Sequence, residues 1–366
     1  MLAHSEPRGL PGTTIDRVEL QRASDGFPLD DVILRARENT TGRAATLQIQ
    51  VKRSIAFSPS DAVFKKVVGQ IAKAIKEPDF WTGRNELAIA TARTSRKIDG
   101  AYQDVLKWAR QLGTPEIFFN RLNREGTSNG YMRAFVETLR DQLRDAGAPH
   151  DDETIWKVLG RLQILVFDYT AVGSAAEELS HERAVRVLPP GDKANAATLW
   201  SVLIDLAEEI AGDGGDRDHA RLVADLSGKS ICVAGDRRLA NVRSAVAEAS
   251  KQALADIDCR IGATTLARTE RIEATNDALD RGRYVEIRGD AGVGKSGVLK
   301  HFAEQFGVEG RIVVLTPIRT PPRGWTTMRS QLGFNGTARE LLGDLASDCG
   351  AGLFIDNLDS FSDDER

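Results

Sequence analysis

A chain of 366 residues, 41% hydrophobic and 28% charged, is long for one core and suits two or three domains, and its composition excludes a disordered polymer. No run approaches the roughly 18 consecutive apolar residues of a spanning helix, so no membrane partner is expected; Cys232, Cys259 and Cys349 stand alone, which excludes a zinc ligand set or a disulfide framework and leaves them as buried reduced thiols. The net charge of −4 conceals an asymmetry, +4 over residues 1–100 and −8 over the rest, compatible with a phosphate-backbone partner for the first segment.

The opening "MLAHSEPRGLPGTT" lacks the basic start and apolar core of a secretory signal, so a cytoplasmic location is expected. Three strands follow, "IDRVELQRA", "DDVILRA" and "ATLQIQVKR", separated by the turn-rich "SDGFP" and "ENTTGR". A helix is predicted from about Ser60 to Lys76. Ser58-Pro59-Ser60-Asp61 supply its capping signature, and Val63, Phe64, Val67, Val68 and Ile71 recur at helical spacing. "NELAIATA" is a fourth strand and "AYQDVLKWARQL" a further helix. Residues 1–100 thus read as a small mixed α/β core.

In "LQIQVKRS", alternation puts Leu47, Ile49 and Val51 on one face, an ordinary core face, and Gln48, Gln50 and Lys52 on the other. An aspartate pair opens the preceding strand, "PLDDVIL". If "DVIL" is the strand, Asp31 shares a face with Ile33, while Asp30 falls with Val32 and Leu34. Asp31 is therefore the preferred partner for Gln50 and Lys52, with Asp30 second.

Residues 101–255 read as mostly helical, interrupted by the apolar run "LQILVFDY" and by polar punctuation at "LPPGDK" and "AGDGGDRD". Helices such as "AATLWSVLIDLAEEIAG" carry an apolar stripe and a polar back, as in a packed bundle. This region carries no chemical motif.

Residues 256–366 alternate again: a helix "LARTERIEATNDALDRG", a strand "YVEIRG", a Gly-rich turn, a helix "SGVLKHFAEQFG", a strand "RIVVLTP", a helix "TARELLGDLASD" and a strand "GLFIDNLD". The pattern implies βαβ units and a parallel sheet, here with only its front part present. Between strand and helix, "GDAGVGKS" (Gly289, Asp290, Ala291, Gly292, Val293, Gly294, Lys295, Ser296) matches G-x-x-x-x-G-K-[ST] at every fixed position. Such a loop cradles the phosphates of ATP with backbone N–H groups and a helix N-terminus. Lys295 is expected to reach the β and γ phosphates, Ser296 to bind Mg²⁺, and Asp356, at the end of an apolar strand, to hold the magnesium shell.

Two resemblances follow. "DNLD" resembles the STAND class of P-loop ATPases, which carries a second acid a few residues past the magnesium aspartate. By that resemblance Asp359 is the candidate for polarising the attacking water; capping the following turn is the alternative. The two-strand set of an aspartate followed by Gln-x-Lys resembles PD-(D/E)XK nucleases. The wording of "DGFPLDDVIL" and "LQIQVKRS" over roughly Ile15 to Ala92 is similar to their Mrr-like and CD-NTase-associated DNA endonuclease domains, where Gln replaces Glu. The resemblance implies a restriction-endonuclease-like core with Asp31 and Gln50 placing Mg²⁺, Lys52 activating the nucleophile, and Lys65, Lys66 and Gln70 on a DNA-facing helix. Such nucleases normally begin with a helix that packs on the sheet and can donate an acid; here that helix is truncated or Glu19 does its work.

The order nuclease, helical region, P-loop ATPase resembles antiviral STAND (Avs-like) defence proteins. It implies Mg²⁺-dependent cleavage of double-stranded DNA by an effector that ATP-driven homo-oligomerisation switches on, after a phage protein meets a C-terminal sensor not contained in this sequence. Two rivals stay open: an ATP-driven restriction endonuclease that translocates on DNA, and a nucleotide-controlled oligomerising scaffold that binds DNA without cutting.

Overall fold

In the computed structural model, which describes residues 1–2, 6–169, 173–236, 239–261, 264–265, 268–321, 324–334, 336–346 and 350–361, the chain divides into two compact units, Met1–Ile231 and Cys232–Arg366. Cys349 lies outside the described residues. Cys232 is exposed and Cys259 half-buried, so neither is the fully buried thiol expected from the sequence. Among the described residues no helix is long and apolar enough to cross a membrane.

The first unit is built on β1 (Thr13–Leu20), β2 (Val32–Glu38), β3 (Ala44–Lys52), α1 (Ala62–Ala74) and β4 (Arg84–Thr91). A π-helical turn, Lys97–Tyr102, leads into α2 (Gln103–Gln111), α3 (Pro115–Asn123), α4 (Gly130–Asp145) and α5 (Asp152–Arg161). The apolar run "LQILVFDY" supplies β5 (Leu162–Val166), followed by α6 (Ala175–Val187), α7 (Ala196–Gly212), β6 (Asp216–Asp218) and α8 (His219–Gly228). Six strands make one mixed sheet in the order β5-β4-β3-β2-β1-β6. β3, β4 and β5 run parallel, while β1, β2 and β6 pair antiparallel. The architecture is α/β. Residue 100 lies inside this unit, because α2 to α5 share its main core and β5 shares its sheet.

Register fixes which side chains share a face. Ile33 stands opposite Gln48, Gln48 opposite Leu87 and Leu87 opposite Leu162. This face is covered by α1, which Asp61 caps by accepting from Val63 N–H at 2.9 Å. Phe64, Val67, Val68 and Ile71 of α1 pack with Leu87, Ile89, Leu162 and Ile164. The other face collects Leu47, Ile49, Ala88, Ala90 and Leu165 around Leu10 in a smaller core. Val51, expected with them, is 47% exposed. The β2–β3 ladder ends at Val32 and Ile49, so Val51 extends past its cover on that side.

Phe57, in the loop between β3 and α1, is buried at φ +55°. That conformation costs a bulky residue on the order of 1–3 kcal/mol. Ring contacts to Phe64, Tyr102 and Phe135 at 5.1, 5.5 and 5.9 Å, each contributing about 0.5–1.5 kcal/mol beyond area burial, offset it. The outer edge of β5 is closed by side chains: Arg8 donates to the Val166 carbonyl at 2.9 Å, Gln103 to that of Ile164 at 2.9 Å, and Arg110 to that of Leu162. Occupied carbonyls remove the template for pairing with another strand. β6 comes from "AGDGGDRD", read above as punctuation. Its three residues are charged and carry no apolar alternation, and they are held by backbone pairing to β1 and by the Arg17–Asp216 ion pair at 3.7 Å.

The second unit contains α9 (Ala240–Asp256), a short β7–β8 hairpin (Arg260–Ile261, Thr264–Thr265), α10 (Thr269–Leu279) and α11 (Lys295–Glu309). After them come β9 (Arg311–Leu315), α12 (Gly324–Gln331), α13 (Ala338–Leu345) and β10 (Ala351–Ile355). β9 and β10 pair in parallel through a helical crossover, as the alternation predicts. Ala253 and Leu254 of α9, Ala303 of α11 and Val314 of β9 share one core, with Phe354 of β10 against it. The strand expected at "YVEIRG" does not form: Tyr284 to Gly289 lie outside the β9–β10 ladder, with Tyr284 79% exposed. Without a neighbouring strand its backbone groups have no ladder to join.

Candidate functional site

The turn from β1 to β2 brings Asp31 to the open end of the sheet. Backbone bonds Gln21 N–H to Asp31 O (3.3 Å) and Arg22 N–H to Asp30 O (3.1 Å) extend the β1–β2 pairing just past its ladder, with Gln21 in the left-handed region at φ +52°. Asp31 thereby lies on the face of Ile33, which is also the face of Gln50 and Lys52. Its Oδ2 accepts from Gln50 Nε2, from Val51 N–H at 2.7 Å and from Lys52 Nζ at 3.5 Å. Oδ1 faces Gln21 Nε2 at 3.5 Å. The three residues singled out from sequence meet on one carboxylate oxygen.

Gln50 is buried at 3% exposure. Its Oε1 accepts from Gln70 Nε2 of α1 at 2.7 Å, so Gln70 turns inward to the cluster. Lys65 and Lys66, on the same helix, are exposed, and Lys65 pairs with Asp145 at 3.6 Å. Lys52 also donates to the Val51 carbonyl at 2.8 Å.

Glu19 is not part of this cluster. It is buried on β1, where Arg35 Nε reaches its Oε1 at 2.9 Å and Arg22 Nε its Oε2 at 3.6 Å. Its ion pairs thus lie with Arg35 and Arg22. Among the described residues no set of three or more His, Cys, Asp or Glu converges; Asp31 is the acid that Gln50, the Val51 N–H and Lys52 contact.

The donor chemistry fits a hard divalent cation. The Asp31 carboxylate, the Gln50 amide oxygen and the Val51 carbonyl are hard oxygen donors, and Mg²⁺ commonly takes one or two carboxylates while keeping waters and binding substrate phosphates.

Sequence reading missed the Val51 N–H and Gln21, since neither a backbone donor nor a left-handed turn is written in a residue pattern. It also left unnamed a set of exposed cations. Thr91 of β4 stands opposite Lys52; beyond these strand ends Arg53, Arg93, Arg96 and Lys97 are exposed, with Lys97 Nζ 4.5 Å from the centre of the Tyr131 ring. The positive balance of the first hundred residues was the available signal.

In the second unit, Gly289, Gly292 and Gly294 all have positive φ, +155°, +80° and +89°, and Gly294 is the residue before α11. Asp290, Ala291 and Val293 are exposed. A Cβ on Gly294 or Gly297 would run into the guanidinium of Arg268, a neighbour that sequence reading did not identify. Lys295 Nζ donates to the carbonyls of Gly289 and Asp290 at 2.8 and 3.0 Å, folding back across its own loop. Ser296 is the second residue of α11, and Asp356 directly follows β10, where its N–H donates to the Leu315 carbonyl at 2.9 Å. α11 packs against both strands. No hydrogen bond joins Ser296 to Asp356 among the described residues. Asp359 is exposed on the 3₁₀ turn Leu358–Ser360. Its charge helps hold the Arg288 guanidinium above its usual range, an effect that comes first from the Arg288–Glu286 bond.

No protein-family model matches this chain, and no curated protein is significantly similar to it.

Proposed function

We propose that the first unit is a Mg²⁺-dependent double-stranded DNA endonuclease of the PD-(D/E)XK kind, similar to Mrr-like and CD-NTase-associated effectors. The observation that carries this reading is the meeting of Asp31, Gln50 and Lys52 at the open end of the sheet. In this reading Asp31, Gln50 and the Val51 carbonyl hold the cation. When bound, it supplies positive charge at the scissile phosphate and a more acidic water. Lys52 keeps its ammonium beside the attacked phosphate, where it supports the nucleophile and balances developing charge. Arg53, Arg93, Arg96 and Lys97 supply phosphate-backbone contacts.

The second unit is the regulator in this account. Gly289 to Ser296 would take the ATP phosphates, with Lys295 leaving the Gly289 and Asp290 carbonyls to do so. Ser296 and Asp356 would hold the nucleotide's Mg²⁺, and Asp359 would act on the attacking water. A STAND-type role, with nucleotide binding gating homo-oligomerisation in antiphage defence, joins the two activities.

The test is conversion of supercoiled plasmid by the full chain with Mg²⁺ or with chelator, each with and without ATP. Mg²⁺-dependent nicking or linearisation is expected. The three donors already on Asp31 Oδ2 favour one rival, DNA binding without cleavage: plasmid shifted in a gel but uncut with Mg²⁺ and Mn²⁺ in all nucleotide states would replace the nuclease reading with that one.

A further inference from the structure

Gln70 is tied to the Asp31 cluster in a way that its own helix position does not suggest. A chain of amides runs from α1 to the carboxylate: Gln70 Nε2 donates to Gln50 Oε1 at 2.7 Å, and Gln50 Nε2 donates to Asp31 Oδ2. In this arrangement Gln50 offers Asp31 a donor. A metal ligand must offer an oxygen instead, because a side-chain amide coordinates a hard cation through its carbonyl.

The two ends of an amide are nearly isosteric, so reversing Gln50 alone would exchange its O and N without moving the side chain. That would set Gln50 Nε2 against Gln70 Nε2, donor against donor. Reversing both restores a bond: Gln50 Nε2 then donates to Gln70 Oε1, and Gln50 Oε1 faces Asp31. Among the described residues this turn breaks no hydrogen bond on the far side of Gln70. Its Oε1 is buried and makes no hydrogen bond among the described residues, and the bond to Gln50 sets which way round the amide sits. The reversed state places two oxygens toward each other at Asp31, an arrangement that repels unless a cation lies with them.

We infer that Gln70 is a positioning residue for the cation site, and that cation binding at Asp31 is coupled to joint reversal of the Gln50 and Gln70 amides. The inference rests on the metal-site reading. Gln70 touches neither cation nor substrate; it acts by accepting from Gln50 Nε2, which aims Gln50 Oε1 at the cation. The flanking residue Ile71 is fully buried in the main core, so the helix cannot slide to substitute another side chain.

The experiment is isothermal titration of the full chain with Mn²⁺ alone, in a double-mutant cycle. Gln70→Leu removes the acceptor and should weaken Mn²⁺ binding by about tenfold, the usual scale for a residue that orients a metal ligand. Gln70→Glu presents only acceptors to Gln50, and should bind Mn²⁺ at least as tightly as the wild-type chain. With Gln50→Ala in place, the Leu and Glu variants should bind alike, because the residue through which Gln70 acts is gone. Wild-type affinity in Gln70→Leu overturns the inference. So does a Leu–Glu difference that persists in the Gln50→Ala background, since that reports direct charge. Both results require a wild-type chain that binds Mn²⁺ and leave the metal site standing; a wild-type chain that binds none removes the metal site and this inference together.

Discussion

Lys52 Nζ stands 3.5 Å from Asp31 Oδ2, with both side chains about one-fifth exposed, at 23% and 19%. An ammonium and the proposed cation would share that carboxylate oxygen and compete for it. Asp31→Asn should therefore lose Mn²⁺ binding, whereas Lys52→Met should bind Mn²⁺ as tightly as the wild type or more so. Titration calorimetry on both variants checks the split, and weaker binding in Lys52→Met would contradict it.

Glu86 of β4 supplies a pH dependence that can be isolated. Burial raises its pKa above the ordinary 4.5, and the charges of Arg110, Arg161 and Arg84 only partly oppose this. A carboxyl whose folded pKa is raised favours the fold when protonated. That contribution is complete below the unfolded value and is lost as pH rises through the folded value. Relative to Glu86→Gln, which stays neutral, the wild type should lose stability as pH rises from 4 toward neutrality. Thermal melts of the pair across that range measure it; a constant gap between the two curves would contradict the assignment.

Arg161, at the end of α5, ties down the turn that precedes β4. Its Nη1 donates to the carbonyls of Phe80, Gly83 and Asn85 at 2.7, 2.9 and 3.2 Å, and its Nη2 to that of Trp81 at 3.2 Å. The guanidinium also lies over the Phe80 and Trp81 rings. Lysine keeps the charge but not the planar fork. Arg161→Lys should cost about 1–3 kcal/mol of stability by leaving carbonyls unpaired, read by denaturant unfolding, without changing Mn²⁺ affinity. A loss under about 0.5 kcal/mol, the range of an ordinary surface change, would contradict it.

If Gly289 to Ser296 take the ATP phosphates as proposed, Lys295→Ala should weaken binding of a fluorescent ATP analogue at least tenfold. Gly294→Ala should do so as well, because φ of +89° and the Arg268 guanidinium leave no room for a Cβ. Unchanged affinity in both variants would remove the ATP assignment.

The strands of the first unit were legible because β2 and β3 pair as alternating segments with one face under α1, and the Asp61 cap was written in the residues before the helix. Asp31, which the same alternation preferred over Asp30, is the aspartate whose carboxylate meets Gln50 and Lys52. What escaped was set by tertiary pairing. β6 has no apolar pattern, and its pairing to β1, with the Arg17–Asp216 ion pair, makes it a strand. "YVEIRG" has the pattern, but among the described residues no strand pairs with it. Gln70 was noticed as one polar position on a helix, yet its inward turn to Gln50 depends on how α1 packs, which no local spacing encodes. Glu19, offered as a further acid, is taken by Arg35 and Arg22, and those partners come from a neighbouring strand and a turn.

The central claim is that Asp31, Gln50 and Lys52 form a hydrolytic centre. The most direct measurement is the rate of Mg²⁺-dependent plasmid cleavage by Lys52→Ala against the wild-type chain, at DNA concentrations where gel shift shows both fully bound. Cleavage by the wild type and a loss of at least a hundredfold in the variant, with binding retained, are expected. Cleavage by Lys52→Ala at the wild-type rate would contradict it.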